Sequence, residues 1–240
     1  MNYVVPTFMR CGSTLVTRGI CGLLNVEYEE FKPRLNFKLS DDEIDSFSDM
    51  SGKVVKTHSV TPEQFIDLAM SDKVGIITIR RRFLDVLTSY ILYQGKKRPK
   101  NNESVISTFE KFNKFHSELD DKAYVNYFID TSIEFVRQQA KMWLRYDRSF
   151  CCKNHVAFEY DSLWKAGHSY MLEKLINTFN LDVDQTDFDR ALERCSFKPQ
   201  GSDEHQRQGF PKDGLRLIDE AFRNQINAIV QQERSKLRNL

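Results

Sequence analysis

The stretch Tyr3-Val4-Val5-Pro6-Thr7-Phe8-Met9-Arg10-Cys11-Gly12-Ser13-Thr14-Leu15 opens on an apolar, β-branched run and closes on residues that suit a helix start, with one glycine in the turn between them. A strand that turns directly into a helix is the layout of a phosphate cradle. The first N–H groups of the helix have no partner within it and point at the anion, and the helix dipole favours negative charge at that end. Arg10 adds a cation, and Ser13 and Thr14 add hydroxyl donors. The P-loop of nucleoside triphosphatases needs two glycines and a lysine before its Ser/Thr, and that pattern is absent here. Two readings of the stretch therefore stand side by side: an anion cradle, and an ordinary strand-to-helix turn with a capping serine.

Working outward, the runs at residues 53–55, 75–79 and 155–160 are also β-branched or aromatic and too brief for amphipathic helices, so they join residues 3–5 as core strands. Helical spacing intervenes. Leu15, Val16, Ile20, Leu23 and Leu24 share one apolar face, and Val86, Leu87, Tyr90 and Ile91 share another. Thr61, Pro62 and Gln64 form a capping box with proline at the first helical position. Strands alternating with helices predict an α/β fold with a central, mainly parallel sheet flanked by helices. Residues 93–102, with the cluster Lys96-Lys97-Arg98-Pro99-Lys100, read as a loop leading into a mostly helical insertion at about 93–145. Met171, Leu172, Leu175, Ile176 and Phe179 mark a later helix, and Ile218, Ala221, Phe222, Ile226, Ile229 and Val230 mark the C-terminal one. Residues 196–214 between them are polar.

A chain of 240 residues, 40% hydrophobic, suits one domain with an ordinary core. The balance of 35 Lys+Arg against 34 Asp+Glu leaves a net charge of +1, which argues against broad capture of nucleic acid or anionic membrane. Any anion site must be local. Cys11, Cys21, Cys151, Cys152 and Cys195 lack the paired spacing of a zinc site or a secreted disulfide framework, so reduced thiols are expected. No basic leader followed by a long apolar stretch is visible, and the expectation is a cytoplasmic protein without a membrane anchor.

Two more segments place anion-suited residues at strand ends, where open α/β sheets bind ligands. Lys56-Thr57-His58 follows the second predicted strand. His58 can accept a proton near neutral pH and Lys56 can stabilise charge on a leaving phosphate; the alternative is a structural or merely exposed histidine. After the third predicted strand come Arg80, Arg81 and Arg82, with Asp85 and, one helical turn further, Ser89. Arginine grips phosphate with paired donors and serine adds a hydroxyl; the alternative is a basic surface patch with Asp85 in a capping or ion-pair role.

Together these segments resemble the sulfotransferases that use 3′-phosphoadenosine 5′-phosphosulfate (PAPS), most of all the cytosolic type. The resemblance extends over most of the chain and implies their P-loop-like fold. In that family the first strand-loop-helix binds the 5′-phosphosulfate, which implies that role for Arg10, Gly12, Ser13 and Thr14, and a place in donor binding for Cys11 and, on the adenine side, for Leu15. Lys56-Thr57-His58 matches the family's Lys-Thr-His triplet, in which the histidine is the catalytic base and the lysine contacts the donor. Arg81 and Ser89 match its 3′-phosphate residues, and Tyr160 resembles a tyrosine near the adenine. Cys195-Ser196-Phe197 resembles its Thr-Ser-Phe segment beside the nucleotide, and Arg207-Gln208-Gly209 resembles the late Arg-Lys-Gly motif that closes over the 3′-phosphate. Leu15 stands where cytosolic members commonly place a tryptophan, and the glycine after Phe210 is spaced differently from theirs.

What the resemblance implies is in-line sulfuryl transfer to an acceptor hydroxyl or amine, with PAPS as donor, PAP as product and no metal required. A nucleotide or small-molecule kinase and a non-catalytic nucleotide-binding relative remain the alternatives. The acceptor is read as a small molecule or a glycan, and the oligomeric state is not legible. Phe112, Phe115, His116, Tyr124, Tyr127 and Phe128 either line an apolar acceptor pocket or form helix core.

Overall fold

The computed structural model describes residues 1–8, 10–31, 41–42, 45, 52–58, 70, 74–96, 119–146, 154–196 and 214–238. They group into two compact units, residues 1–81 with 145–209 and residues 82–144 with 210–240. The strands are β1 (Asn2–Pro6), β2 (Tyr28–Phe31), β3 (Val54–Thr57), β4 (Val74–Arg80) and β5 (His155–Glu159). The helices are α1 (Ser13–Leu24), α2 (Phe83–Lys96), α3 (Asp121–Thr131), α4 (Ile133–Tyr146), α5 (Tyr160–Phe179), α6 (Gln185–Cys195), α7 (Gly214–Leu217) and α8 (Glu220–Arg238).

The five strands of the first unit lie in the order β2-β3-β1-β4-β5, and every pair is parallel. β1 and β3 are buried along their whole length and β4 over all but Arg80, which is why near-continuous apolar runs mark them in the sequence. All four sequence-predicted strands are present. β2 is additional: Tyr28-Glu29-Glu30-Phe31 carries two carboxylates in four residues, a composition that hides a strand but suits the open edge of a sheet. Two boundaries also differ. β3 continues through Lys56 and Thr57, and β5 stops at Glu159, so Tyr160 opens a helix with Asp161 favourably placed in its first turn.

α1 and α6 pack closely in this unit. A Cβ on Gly22 would meet Ala191 Cβ at 2.9 Å, so glycine is what allows the two backbones to approach. α6 reinforces the contact by supplying donors to the carbonyls at the C-terminal end of α1: Arg190 Nη1 reaches Gly22 O at 3.4 Å and Arg194 Nη1 reaches Val26 O at 2.8 Å. α6 is absent from the sequence expectation. Its signal is an Asp184 cap, which accepts from Asp187 N–H at 2.8 Å, ahead of the spacing Phe188, Ala191, Leu192 and Cys195. Next to the sheet, the Tyr3 and Phe179 rings meet edge to face with centroids 5.1 Å apart.

In the second unit, Asp85 is buried in the first turn of α2 and accepts from Gly214 N–H at 2.6 Å and from Arg82 Nε at 2.7 Å. The ion-pair reading of Asp85 describes these contacts. α2 runs to Lys96, one turn beyond the expected loop start at Tyr93. Tyr124 and Phe128 are fully buried, and Phe128 meets Phe135 edge to face at 5.5 Å, so both belong to helix core, whereas Tyr127 is exposed. Phe112, Phe115, His116, Lys97 to Lys100, the Thr61-Pro62 capping box and the Cys151-Cys152 pair lie outside the described residues.

Candidate active site

Ligands of open α/β sheets lie outside the C-terminal ends of the strands, where strand order reverses. Here the chain leaves β1 toward the β2 edge and leaves β4 toward the β5 edge, so the C-terminal ends of β1 and β4, with β3 beside β1, mark that place. Pro6 pairs with Thr57, and Thr7 N–H extends the ladder to Thr57 O at 2.8 Å. The loop after β1 and the Lys56-Thr57-His58 triplet are therefore neighbours by register.

The loop has an unusual backbone. Arg10 has φ 66° and Gly12 has φ 93°, both left-handed. That conformation costs an ordinary L-residue such as Arg10 about 1–2 kcal/mol. The Arg10 carbonyl is in turn held by Arg81 Nη1 at 2.8 Å, and a hydrogen bond from a charged donor contributes about 1.5–3 kcal/mol, enough to offset the strain. Gly12 is the N-cap of α1 and contributes no side-chain cap; its carbonyl takes the Leu15 N–H at 3.2 Å, so the N–H groups ahead of Leu15 are the ones placed for an anion. A Cβ on Gly12 would collide with the Tyr160 ring, so the loop backbone lies directly against that side chain. Ser13 is buried, and Thr14 and Leu15 are half-buried. Cys11 is fully buried. These features fit a bound phosphosulfate.

Lys56 is buried and His58 half-buried. His58 Nδ1 lies 3.3 Å from Thr7 Oγ1, and its Nε2 lies 3.6 Å from Glu30 Oε1. The same carboxylate oxygen is 3.7 Å from Lys56 Nζ. Glu30 arrives there because it pairs in register with Lys56 across β2 and β3, and with β2 unrecognised the sequence gives no sign of it. Burial and the nearby Lys56 charge depress the His58 pKa to about 4, Arg10 acting in the same direction and Glu30 and a hydrogen bond to Thr7 opposing. The Glu30 carboxylate thus lies within 4 Å of both the Lys56 ammonium and the His58 ring.

Of the three arginines after β4, Arg80 pairs with Glu159 at 3.9 Å and Arg82 with Asp85 at 2.7 Å, while Arg81 turns to the loop and lays its guanidinium 4.3 Å from the centre of the Tyr160 ring. Tyr146 was not singled out by the sequence. Its hydroxyl accepts from Ile79 N–H at 3.0 Å and lies within donating reach of Pro6 O at 3.1 Å and Ile79 O at 3.0 Å, tying the ends of β1 and β4 together. Tyr146→Phe should lower stability by about 1–3 kcal/mol, because buried backbone groups lose their partner; a fall in the urea midpoint with an unchanged m-value is the reading that checks it.

Leu15 O lies 3.8 Å from Cys195 Sγ, which brings the start of the Cys195-Ser196 segment beside the loop helix. Ser196 Oγ donates to Glu193 O at 2.6 Å and so is engaged with its own helix end. Ser89 lies in α2, in the second unit. Phe197, Arg207, Gln208 and Gly209 lie outside the described residues. Among the described residues, no group of His, Cys, Asp or Glu side chains could hold a metal, and no helix is long and apolar enough to cross a membrane.

No protein-family model and no curated protein sequence matches the chain. Solved structures do match. Mouse sulfotransferase SULT7A1, complexed with PAP, superposes with a TM-score of 0.60 at 13% identity, covering 97% of this chain and 84% of that one. Retinol dehydratase in complex with retinol and PAP gives 0.53 at 15% identity, and the same enzyme with androsterone and PAP gives 0.51 at 13%, each covering 97% of this chain and 80% of theirs. This chain has the sulfotransferase fold. The sequence predicts a mainly parallel sheet and a β1-loop-α1 turn, and in this sulfotransferase fold every strand pair is parallel; at this identity the match establishes the architecture alone.

Proposed function

We propose that this protein transfers the sulfuryl group of PAPS to a hydroxyl or amine of a small-molecule acceptor and releases PAP. The observation that carries the reading is the Pro6–Thr57 pairing, which sets a phosphate-suited loop beside Lys56 and His58 on a fold shared with proteins solved in complex with PAP. Androsterone and retinol in the complexes of retinol dehydratase favour a small molecule over a glycan as acceptor.

Sulfuryl transfer is largely positioning and charge stabilisation, as phosphoryl transfer is. In the proposed step, the acceptor oxygen or nitrogen attacks sulfur, the bond from sulfur to the bridging phosphate oxygen breaks, and the acceptor's proton passes to His58 Nε2. In the tautomer that donates Nδ1–H to Thr7 Oγ1, Nε2 carries the lone pair, and the proton it gains lies beside the Glu30 carboxylate. Arg10, Lys56 and the first-turn N–H groups of α1 stabilise charge growing on the departing 5′-phosphate. Arg81 takes the 3′-phosphate and Tyr160 flanks the nucleotide. The parts of Ser89, Ser196, Phe197, Arg207, Gln208 and Gly209 in donor binding rest on the family resemblance alone.

Incubation with sulfur-labelled PAPS and a panel of phenols, alcohols, amines and sugars tests the reading. Transfer of label to an acceptor with matching release of PAP is expected; a protein that neither binds PAP nor transfers label refutes it, and magnesium-dependent ATP turnover would favour a kinase. The pH profile gives a second check. A depressed pKa keeps the imidazole neutral, and therefore basic, at pH values where an ordinary histidine is protonated. The acid limb of the rate should fall near pH 4 instead of near 6.5, the ordinary histidine value. Glu30→Gln removes a group that raises this pKa, so it should move the limb lower still.

A further inference from the structure

We propose that Arg81 is a positioning residue for the 5′ half of the donor, holding the cradle loop in shape, in addition to any part it takes at the 3′-phosphate. The inference rests on the donor site proposed above and extends it to how that site is kept in register. Two contacts carry it. Arg81 Nη1 donates to Arg10 O at 2.8 Å, and this carbonyl points where it does because Arg10 is left-handed at φ 66°. Rotation of the Arg10–Cys11 peptide toward an unstrained conformation would take the carbonyl off Arg81 and turn the Cys11 N–H with it.

The second contact passes through Tyr160. The Arg81 guanidinium lies 4.3 Å from the centre of that ring, and the ring rests so closely on Gly12 that no Cβ fits between them. Arg81 therefore reaches both left-handed residues of the loop, Arg10 directly and Gly12 through Tyr160. One guanidinium with several N–H groups in a flat fork can donate to the loop carbonyl while still presenting donors to an anion. The consequence is a coupling between the two ends of the nucleotide: an anion that orders Arg81 also orders the cradle. A residue serving the 3′-phosphate alone would be indifferent to a nucleotide that lacks one.

Dissociation constants of adenosine 5′-phosphosulfate, which has no 3′-phosphate, and of PAP are compared for the wild type, Arg81→Ala, Arg81→Lys and Tyr160→Ala, each with its melting temperature. Arg81→Lys keeps the charge but loses the fork and the flat stacking face. It should weaken adenosine 5′-phosphosulfate about five- to fiftyfold, on the scale of ordinary coupling energies, and PAP by at least as much. Arg81→Ala should weaken adenosine 5′-phosphosulfate by that factor and PAP by more, and Tyr160→Ala should also weaken adenosine 5′-phosphosulfate. Wild-type affinity for adenosine 5′-phosphosulfate in Arg81→Lys and Tyr160→Ala overturns the clamp, whether or not Arg81→Ala folds. A wild-type protein that binds PAP keeps the donor reading intact in that case; one that binds neither nucleotide removes the donor reading and the clamp together.

Discussion

His58→Ala should lower the rate of sulfuryl transfer by about 10²-fold while leaving PAP affinity within about twofold, since a positioned general base contributes about 10²–10⁴. The lower end is the expected one. A base works best when its conjugate acid has a pKa near the working pH, and the environment of His58 holds that value at about 4, which weakens it as a proton acceptor. Glu30, 3.6 Å from Nε2, offsets part of this loss by stabilising the imidazolium as it forms. Measurement of single-turnover rates with saturating donor separates this from a binding effect, and a variant that turns over at the wild-type rate would remove His58 from the mechanism.

Gly12→Ala carries the second large effect, through the backbone. The added methyl meets the Tyr160 ring, and at φ 93° an alanine is strained even in open space. A residue held in such a region costs about 1–3 kcal/mol, which corresponds to about 5- to 150-fold in an equilibrium constant. The loop can escape only by moving Tyr160, and Tyr160 is covered by Arg81. PAP affinity should therefore fall by at least about tenfold, consistent with that range, and the melting temperature should fall with it. In a Tyr160→Ala background the collision is gone, so the methyl should cost measurably less; an undiminished cost would show that strain at φ 93° alone is responsible. Calorimetric titration of the four proteins gives the cycle.

The sequence makes the sheet legible because buried parallel strands favour short runs of apolar and β-branched residues, and Tyr3-Val4-Val5, Val54-Val55, Ile76-Ile77-Thr78-Ile79 and Val156-Ala157-Phe158 are such runs. The loop is legible for a related reason: one glycine between a strand and a helix, followed by Ser13 and Thr14, leaves few alternatives. Glu30 escaped because its strand violates the rule that found the others. An edge strand with two glutamates looks like a loop until its partner is known, and what places Glu30 at the candidate site is register with Lys56, a relation between residues 26 positions apart. α6 escaped because its apolar face is narrow and its start signal, Asp184, lies in a run with three other polar residues. Tyr146 and the turn of Arg81 toward Arg10 depend on tertiary placement alone. Each of these belongs to the support of the candidate site, not to the motifs that announce it.

The closeness of α1 and α6 has a practical corollary. Cys21 and Cys195 are both buried in that unit, and burial pushes each thiol pKa up to about 12. As thiols rather than thiolates, shielded from solvent, they cannot react with an alkylating reagent in the folded protein. Modification at these two positions then proceeds only through opening of the helix pair, so its rate is a clock for local unfolding. If PAP occupies the loop that begins α1, the clock should slow as nucleotide is added, reporting occupancy without any turnover.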